Sequence, residues 1–128
     1  MSFTVDLRSI AEKTNATLDE AARAITISLF NGVIRDTRVD TGRLRGNWQV
    51  SLDQPERGTI EREDKVAQGS DGGNAQADVN NTVESGAINY LTNNLPYAEV
   101  FEQRDGMVAR NAARIQRITD EVARNVRR

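Results

Sequence analysis

Asp40-Thr41-Gly42 is the first place in this chain where chemistry could sit. An aspartate in an Asp-Thr-Gly turn can supply half of a catalytic dyad when two chains pair, because two carboxylates held close share one proton. That arrangement needs an apolar strand around the triplet, a small residue after it, and a later apolar segment ending in glycine to brace the loop. Here the triplet lies between Arg38 and Arg43, and the bracing segment is missing. It reads instead as a turn: Asp can bond the backbone two residues on, and Gly supplies positive φ at little cost. Glu61, Glu63 and Asp64 are the second candidate, since neighbouring carboxylates can collect a divalent cation. A loose acidic loop without a glycine-spaced ligand frame is more often simply solvated, so a metal-assisted hydrolase built on residues 61–64 stands as the alternative from the enzyme class. The chain has no His and no Cys, which removes the usual general base, the commonest metal ligand and any thiol nucleophile or disulfide. No phosphate-binding glycine loop, nucleophile elbow or dinucleotide fingerprint is present.

Arginines are the third candidate. Arg110, Arg114, Arg117, Arg124, Arg127 and Arg128 face only Asp120 and Glu121 over residues 106–128, whereas residues 51–84 hold eight acids against three bases. Cations facing phosphates dominate DNA affinity. The overall balance is nevertheless acidic, at −2, no aromatics interleave with the arginines, and no reading-helix motif precedes them. Sequence-specific DNA binding is not expected. Transient contact with DNA in a channel, pairing of Arg110, Arg114 and Arg117 with acids on a neighbouring subunit, and plain solvation all stay open. An acidic flank and a basic flank on one molecule suit head-to-tail contacts between copies.

The elements that must position these groups follow from pattern. Asp6 to Ala11 reads as a short helix capped by Asp6. Thr17-Leu18-Asp19-Glu20 is a capping box, and Leu18, Ala22, Ile25, Leu29 and Val33 give the apolar stripe of a long helix ending near Asp36. After the Asp40-Thr41-Gly42 turn, Arg43 and Arg45 in an extended segment would share one face, with Leu44 on the other. Trp48, Val50 and Leu52 alternate with polar residues as a half-buried strand. Residues 57–63 read as a weak returning strand, and about 54–75 as a mobile acidic loop. A short helix with Ala75, Val79 and Val83 on one side comes next, then a strand at Ala87 to Thr92. Asn93-Asn94-Leu95-Pro96 forms a turn, with Pro96 at the first position of a helical turn over 97–102. Asp105-Gly106 resets the chain before a final amphipathic helix with Val108, Ala112, Ile115, Ile118 or Thr119, Val122 and Val126 on its apolar face. The expected fold class is α+β: a long N-terminal and a C-terminal helix packed on a small, mostly antiparallel sheet, in one domain over 1–128. An apolar fraction of 38% and only 5% aromatics imply a thin core, as in a subunit that completes its burial against partners. Nothing at the N-terminus reads as a signal peptide, and no apolar run is long enough for a membrane span, so a soluble, cytoplasmic chain is expected.

Three stretches also carry a family resemblance. Val39-Asp40-Thr41-Gly42-Arg43-Leu44-Arg45 with Asn47-Trp48, then Asn93-Asn94-Leu95-Pro96-Tyr97-Ala98 with Glu102, then Gly106-Met107-Val108 resemble, in that order, signatures of the tail-completion proteins of tailed bacteriophages, the family of the minor tail protein Z of lambda-like phages. The resemblance runs from about residue 17 and is weakest over 54–86. Glu102 reaches Gly106 in four residues, where the family often carries a glycine-containing insertion. The resemblance implies a non-enzymatic virion protein of phage or prophage, without a cofactor or metal, assembled in the host cytoplasm and acting where the tail joins the head. Its implied partners are tail-terminator, connector or head-closure subunits and further copies in a ring, with no membrane; a head-closure or tail-terminator subunit is the alternative within virion assembly. Arg43, Arg45, Tyr97, Glu102, Arg110, Arg114 and Arg117 are then the expected interface, and Asp40, Thr41, Gly42, Asn93, Asn94 and Pro96 the structural turns.

Overall fold

A computed structural model describes residues 1–6 and 19–126 of the chain. The fold is α+β. Strand β1 (Ser2–Asp6) is followed by helix α1 (Asp19–Asp36), a single helical turn α2 (Arg43–Gly46), strand β2 (Gln49–Leu52), helix α3 (Asn74–Thr82), strand β3 (Ile88–Thr92), helix α4 (Ala98–Asp105) and helix α5 (Met107–Val126). The sheet is antiparallel in the order β1-β3-β2, with Phe3 opposite Leu91 on one side and Val50 opposite Leu91 on the other. β1 corrects the sequence reading, which placed the start of a helix and its cap at Asp6. The rest of that expected helix and the Thr17 capping box lie outside the described residues.

α1 carries the core. Ala22, Ile25, Leu29, Phe30, Val33 and Ile34 are buried along one broad face, and they meet Ala75, Val79 and Val83 of the α3 region, Leu91 of β3, and Met107 and Ile115 of α5. α5 turns Ile115 and Thr119 of its expected apolar face inward, with Val108 packed at the edge of the core, but Ala112 departs from that face. Asn111 and Thr119 are buried with Met107 and Ile115, while Ala112 is exposed. The reason is close packing against Gly32 of α1, where an added Cβ would strike the Asn111 side chain. Asn111 is satisfied there, donating through Nδ2 to Asp36 Oδ2 at 2.9 Å and to Met107 O at 2.7 Å.

Trp48 sits at the centre with no exposed surface. A buried indole needs an acceptor, and Trp48 Nε1 donates to Thr37 Oγ1 at 2.8 Å. Thr37, just past the end of α1, donates its own hydroxyl proton to Val33 O at 2.7 Å, and its oxygen lies 3.6 Å from Met107 Sδ.

The stretch 39–48 departs most from expectation. Arg43 to Gly46 is a helical turn and not an extended segment. At 3.6 residues per turn, positions two apart point about 200° from one another. Arg43 is therefore exposed while Arg45 is fully buried. Gly42, at φ +89°, begins this turn, and its carbonyl accepts from Gly46 N at 2.9 Å and Asp64 N at 2.8 Å. Residues 57–63 form no strand. They run beside the turn so closely that a Cβ on Gly42 would lie 2.6 Å from Asp64 O, and one on Gly46 would collide with Arg62 O. The stretch 54–73 has no helix or strand, and Asn74 and Ala75 already belong to α3.

Gly46→Ala should therefore cost on the order of 2–4 kcal/mol, because backbone must move to admit the methyl group. Gly58, where an added Cβ would meet nothing within 4 Å, is the control, and Gly58→Ala should stay within about 0.5 kcal/mol of the parent in urea denaturation.

Candidate functional site

The residues expected to form an interface divide sharply by burial. Arg45 and Asp64 lie in the interior, with side chains 0% and 1% exposed and Arg45 Nε 3.3 Å from Asp64 Oδ1. Arg45 Nη2 donates to Ser70 O at 3.1 Å and Gly72 O at 2.9 Å. The Asp64 carboxylate also accepts from Val66 N at 3.2 Å and Ala75 N at 3.4 Å, so it stands at the N-terminal end of α3, where the unpaired amides and helix dipole favour an anion. A Cβ at Gly73 would collide with that carboxylate. Arg45 is thus a structural cation that holds the 64–73 loop in place, and its assignment to an exposed interface is corrected. The stretch expected to be a mobile loop is tied down at Asp64, Ser70 and Gly72.

Glu102 is likewise structural. Its carboxylate crosses the Gly106 junction and accepts from Val108 N at 2.8 Å and Ala109 N at 3.1 Å, capping α5. Gly106, at φ +63°, ends α4 in the left-handed conformation that lets α5 start immediately. The four-residue step from Glu102 to Gly106 is what brings the carboxylate onto those amides. Asp105 pairs with Arg38, whose Nη2 lies 2.9 Å from Oδ1.

The turn residues occupy three different environments. Asp40 and Thr41 are exposed, and Thr41 Oγ1 accepts from Arg43 N at 3.2 Å. Asn93 is buried, donating through Nδ2 to Leu44 O at 2.8 Å. Asn94 donates to Glu56 O and Gly58 O, both at 2.9 Å. Pro96 is exposed and precedes the N-cap residue Tyr97, so it stands two positions before the first helical residue, Ala98, and not at the first helical position expected from sequence.

Part of what remains exposed lies at one groove. Arg38, Asp40, Thr41, Gly42, Leu44, Tyr97 and Phe101 line a depression of about 320 Å³. Tyr97 and Phe101 meet edge to face at 5.9 Å between ring centroids, and the Arg38 and Arg104 guanidinium groups stand 5.4 Å and 5.7 Å from the Phe101 centroid. Tyr97 and Val100, 37% and 51% exposed, are the large apolar side chains left open to solvent among the described residues. Arg43 is exposed beside this groove, between Gly42 and Leu44 of its lining. Arg38, Phe101 and Val100 were not singled out from sequence. The i, i+4 spacing of Tyr97 and Phe101 was the available signal, but it reads equally well as a core stripe.

Arg110, Arg114 and Arg117 do not act as a unit. Arg110 and Arg117 are exposed, whereas Arg114 is half-buried and donates through Nη2 to Ser28 O at 3.3 Å and Asn111 Oδ1 at 3.2 Å. Arg124, Arg127 and Arg128 have side chains outside the described residues. The acids at 61–64 are also split: Glu61 and Glu63 face solvent while Asp64 points inward, and Glu63 lies 3.4 Å from Lys65 Nζ. Among the described residues no group of three or more His, Cys, Asp or Glu could hold a metal ion. The carboxylate cluster required by the hydrolase alternative is not assembled. Asp40 sits in a solvent-facing turn and not in an apolar strand, contrary to what a catalytic dyad needs.

No protein-family model, curated protein or solved structure matches the chain.

Removing one partner of the buried pair leaves a desolvated charge, so Asp64→Asn should cost about 3–5 kcal/mol, and replacing both partners (R45M with D64L) should recover a large part of that loss. Glu102→Ala should cost about 1 kcal/mol through the lost α5 cap. Urea titrations of the single and double variants check both.

Proposed function

We propose that this chain is a structural subunit of the neck or tail of a tailed bacteriophage, completing the tail end so that it can join the head. The carrying observation is that the three stretches resembling the tail-completion family, the first far in sequence from the other two, converge on one region of the fold. The first meets the second where Asn93 Nδ2 donates to Leu44 O at 2.8 Å. The second meets the third where Glu102 caps α5. The first and third meet through the core, where Trp48 and Met107 both reach Thr37, the indole at 2.8 Å and the sulfur at 3.6 Å. Residues that make one another's environment in this way are what a shared fold would hold in common. The same convergence creates the groove between Asp40, Leu44, Tyr97 and Phe101, with Tyr97 exposed in its lining, Arg43 exposed next in sequence to Gly42 and Leu44, and Val100 exposed on the helix that carries Tyr97 and Phe101.

On this reading the protein is not an enzyme. It binds tail-terminator, connector or head-closure subunits and further copies of itself, and it resides in the virion. Rigid placement suits the task, because an assembly subunit must present its anchors in the bound geometry to limit the entropy lost on docking. Aromatic and Arg anchors at a groove are the residue types that dominate interface energy.

Arg43→Glu combined with Tyr97→Ala should abolish joining of heads and tails in a complementation assay while leaving the thermal midpoint within a few degrees of the parent, since both side chains are exposed. Absence of the protein from purified particles, together with no binding to any neck or tail subunit, would overturn the reading. Location in the particle distinguishes tail completion from a head-closure or tail-terminator role.

A further inference from the structure

α5 buries Met107, Asn111, Ile115 and Thr119 and leaves its opposite side in solvent. On that outer side Ala109 and Ala113 are exposed, a flat strip that admits a close neighbour, with Gln116 and Asp120 next along it, Gln116 Nε2 donating to Asp120 Oδ1 at 3.1 Å. Arg110 and Arg117, two turns apart, run along one edge of the alanines. Arg114, between them, is drawn back onto α1 through Ser28 O.

The acidic region lies on the other flank of α1. Ser28, Gly32 and Asp36 of α1 meet α5, whereas Arg23 and Asn31 meet α3, Arg23 donating to Val83 O at 2.8 Å and Asn31 to Asn80 Oδ1 at 2.9 Å. At 100° per residue these two sets fall on either side of the buried stripe of α1. Beyond α3, the Arg62–Asp78 ion pair neutralises itself, and Asp64 is consumed by Arg45. Glu56, Glu61 and Glu63 remain exposed there, and among the described residues no ion pair engages Glu56 or Glu61. Glu56 borders a mainly polar groove of about 170 Å³ that Val50 and Ile60 share with Gln49, Thr82 and the Arg62–Asp78 pair.

We infer that the outer face of α5 in one copy docks on the Glu56–Glu63 face of a second copy, head to tail. Opposite charge on two different flanks makes the contact heterologous, so each copy can use both faces at once and the contacts close into a ring or run on as a filament. An α5-to-α5 contact would bring Arg110 and Arg117 against their own kind with, among the described residues, only Asp120, already bonded by Gln116, to offset them, and like charges facing one another are unfavourable. The inference deepens the virion reading by naming the surfaces for contact between copies. It is tested on the purified chain alone, so its failure is separable from failure of head–tail joining.

Sedimentation velocity of the purified protein should show association at about 50 mM salt that is lost near 0.5 M, where charges are screened within a few ångströms. R110E/R117E and E56K/E61K, each checked for a native circular-dichroism melt, should both be monomeric. Mixed in equal amounts they should associate again, because each then offers the charge that the other's free face needs. A wild-type monomer at low salt, a folded variant that still associates alone, or folded variants whose mixture stays monomeric would each overturn the head-to-tail contact.

Discussion

The interior contact between Arg45 and Asp64 is the constraint on which the rest of the molecule depends. A guanidinium and a carboxylate without access to water are each costly unless they face one another, and here the Arg45 Nη1 group still lacks a hydrogen-bond partner. Here they tie four segments together: the α2 turn, the chain at 64–66, the carbonyls at Ser70 and Gly72, and the N-terminus of α3. Three glycines make the approach feasible. Gly42 and Gly46 let residues 62–64 lie against the turn, and Gly73 leaves room for the carboxylate. The long segment between β2 and α3 has no ladder of its own, and this contact substitutes for one.

The outer surface follows from the same turn. With Arg45 inward, a helical turn must send Arg43 outward and place Leu44 beside Leu95 and Ala98 in a second apolar cluster. Asn93 then fixes the Leu44 carbonyl, and α4 is held so that Tyr97 and Phe101 form the opposite wall of the groove. A buried electrostatic contact on one side of four residues thereby sets the geometry of a binding surface on the other. Altering Arg45 would disturb that surface without touching it, which is why Arg43 and Arg45 cannot be treated as an equivalent pair despite their symmetry in sequence.

Helices with a strong apolar period were legible from sequence: α1 to its end at Asp36, α3 with Ala75, Val79 and Val83, and α5 after Gly106. β3 was legible from its apolar–polar run, and the turns at 40–42 and 93–96 from their Asp, Asn, Gly and Pro content. The α2 turn was not, because four residues are too short to show a period and Arg-Leu-Arg reads equally well as an alternating strand. The Arg45–Asp64 contact was hidden for a different reason. Its partners are 19 positions apart in segments of different character, and a buried arginine looks the same in sequence as an exposed one. In α5 the period and the inward Ile115 and Thr119 were legible, but Asn111 in place of Ala112 was not, since Asn111 is buried by fit against Gly32 and not by hydrophobicity. Of the candidate site, Tyr97 and Arg43 were legible as turn-adjacent exposed groups, whereas Phe101 and Arg38 emerge only from the crossing of α4 with the end of α1.

Two carboxylates decide how the surface should be read. Glu102 and Asp64 both looked available for contact or catalysis, and both are used at helix N-termini, Glu102 on α5 and Asp64 on α3. An anion so placed satisfies amides that no intrahelical partner can reach, and a competing external ligand would have to leave those amides bare. Their use inside the fold therefore removes them from the working surface more firmly than low exposure alone would. The groups left over are Tyr97 in the groove, Arg43 beside it, Val100 on α4 and Arg110 and Arg117 along α5, all side chains whose removal leaves no helix end or buried charge unsatisfied. A chain that commits its buried polar groups to positioning and leaves aromatics and arginines outside is organised to present surfaces to other proteins.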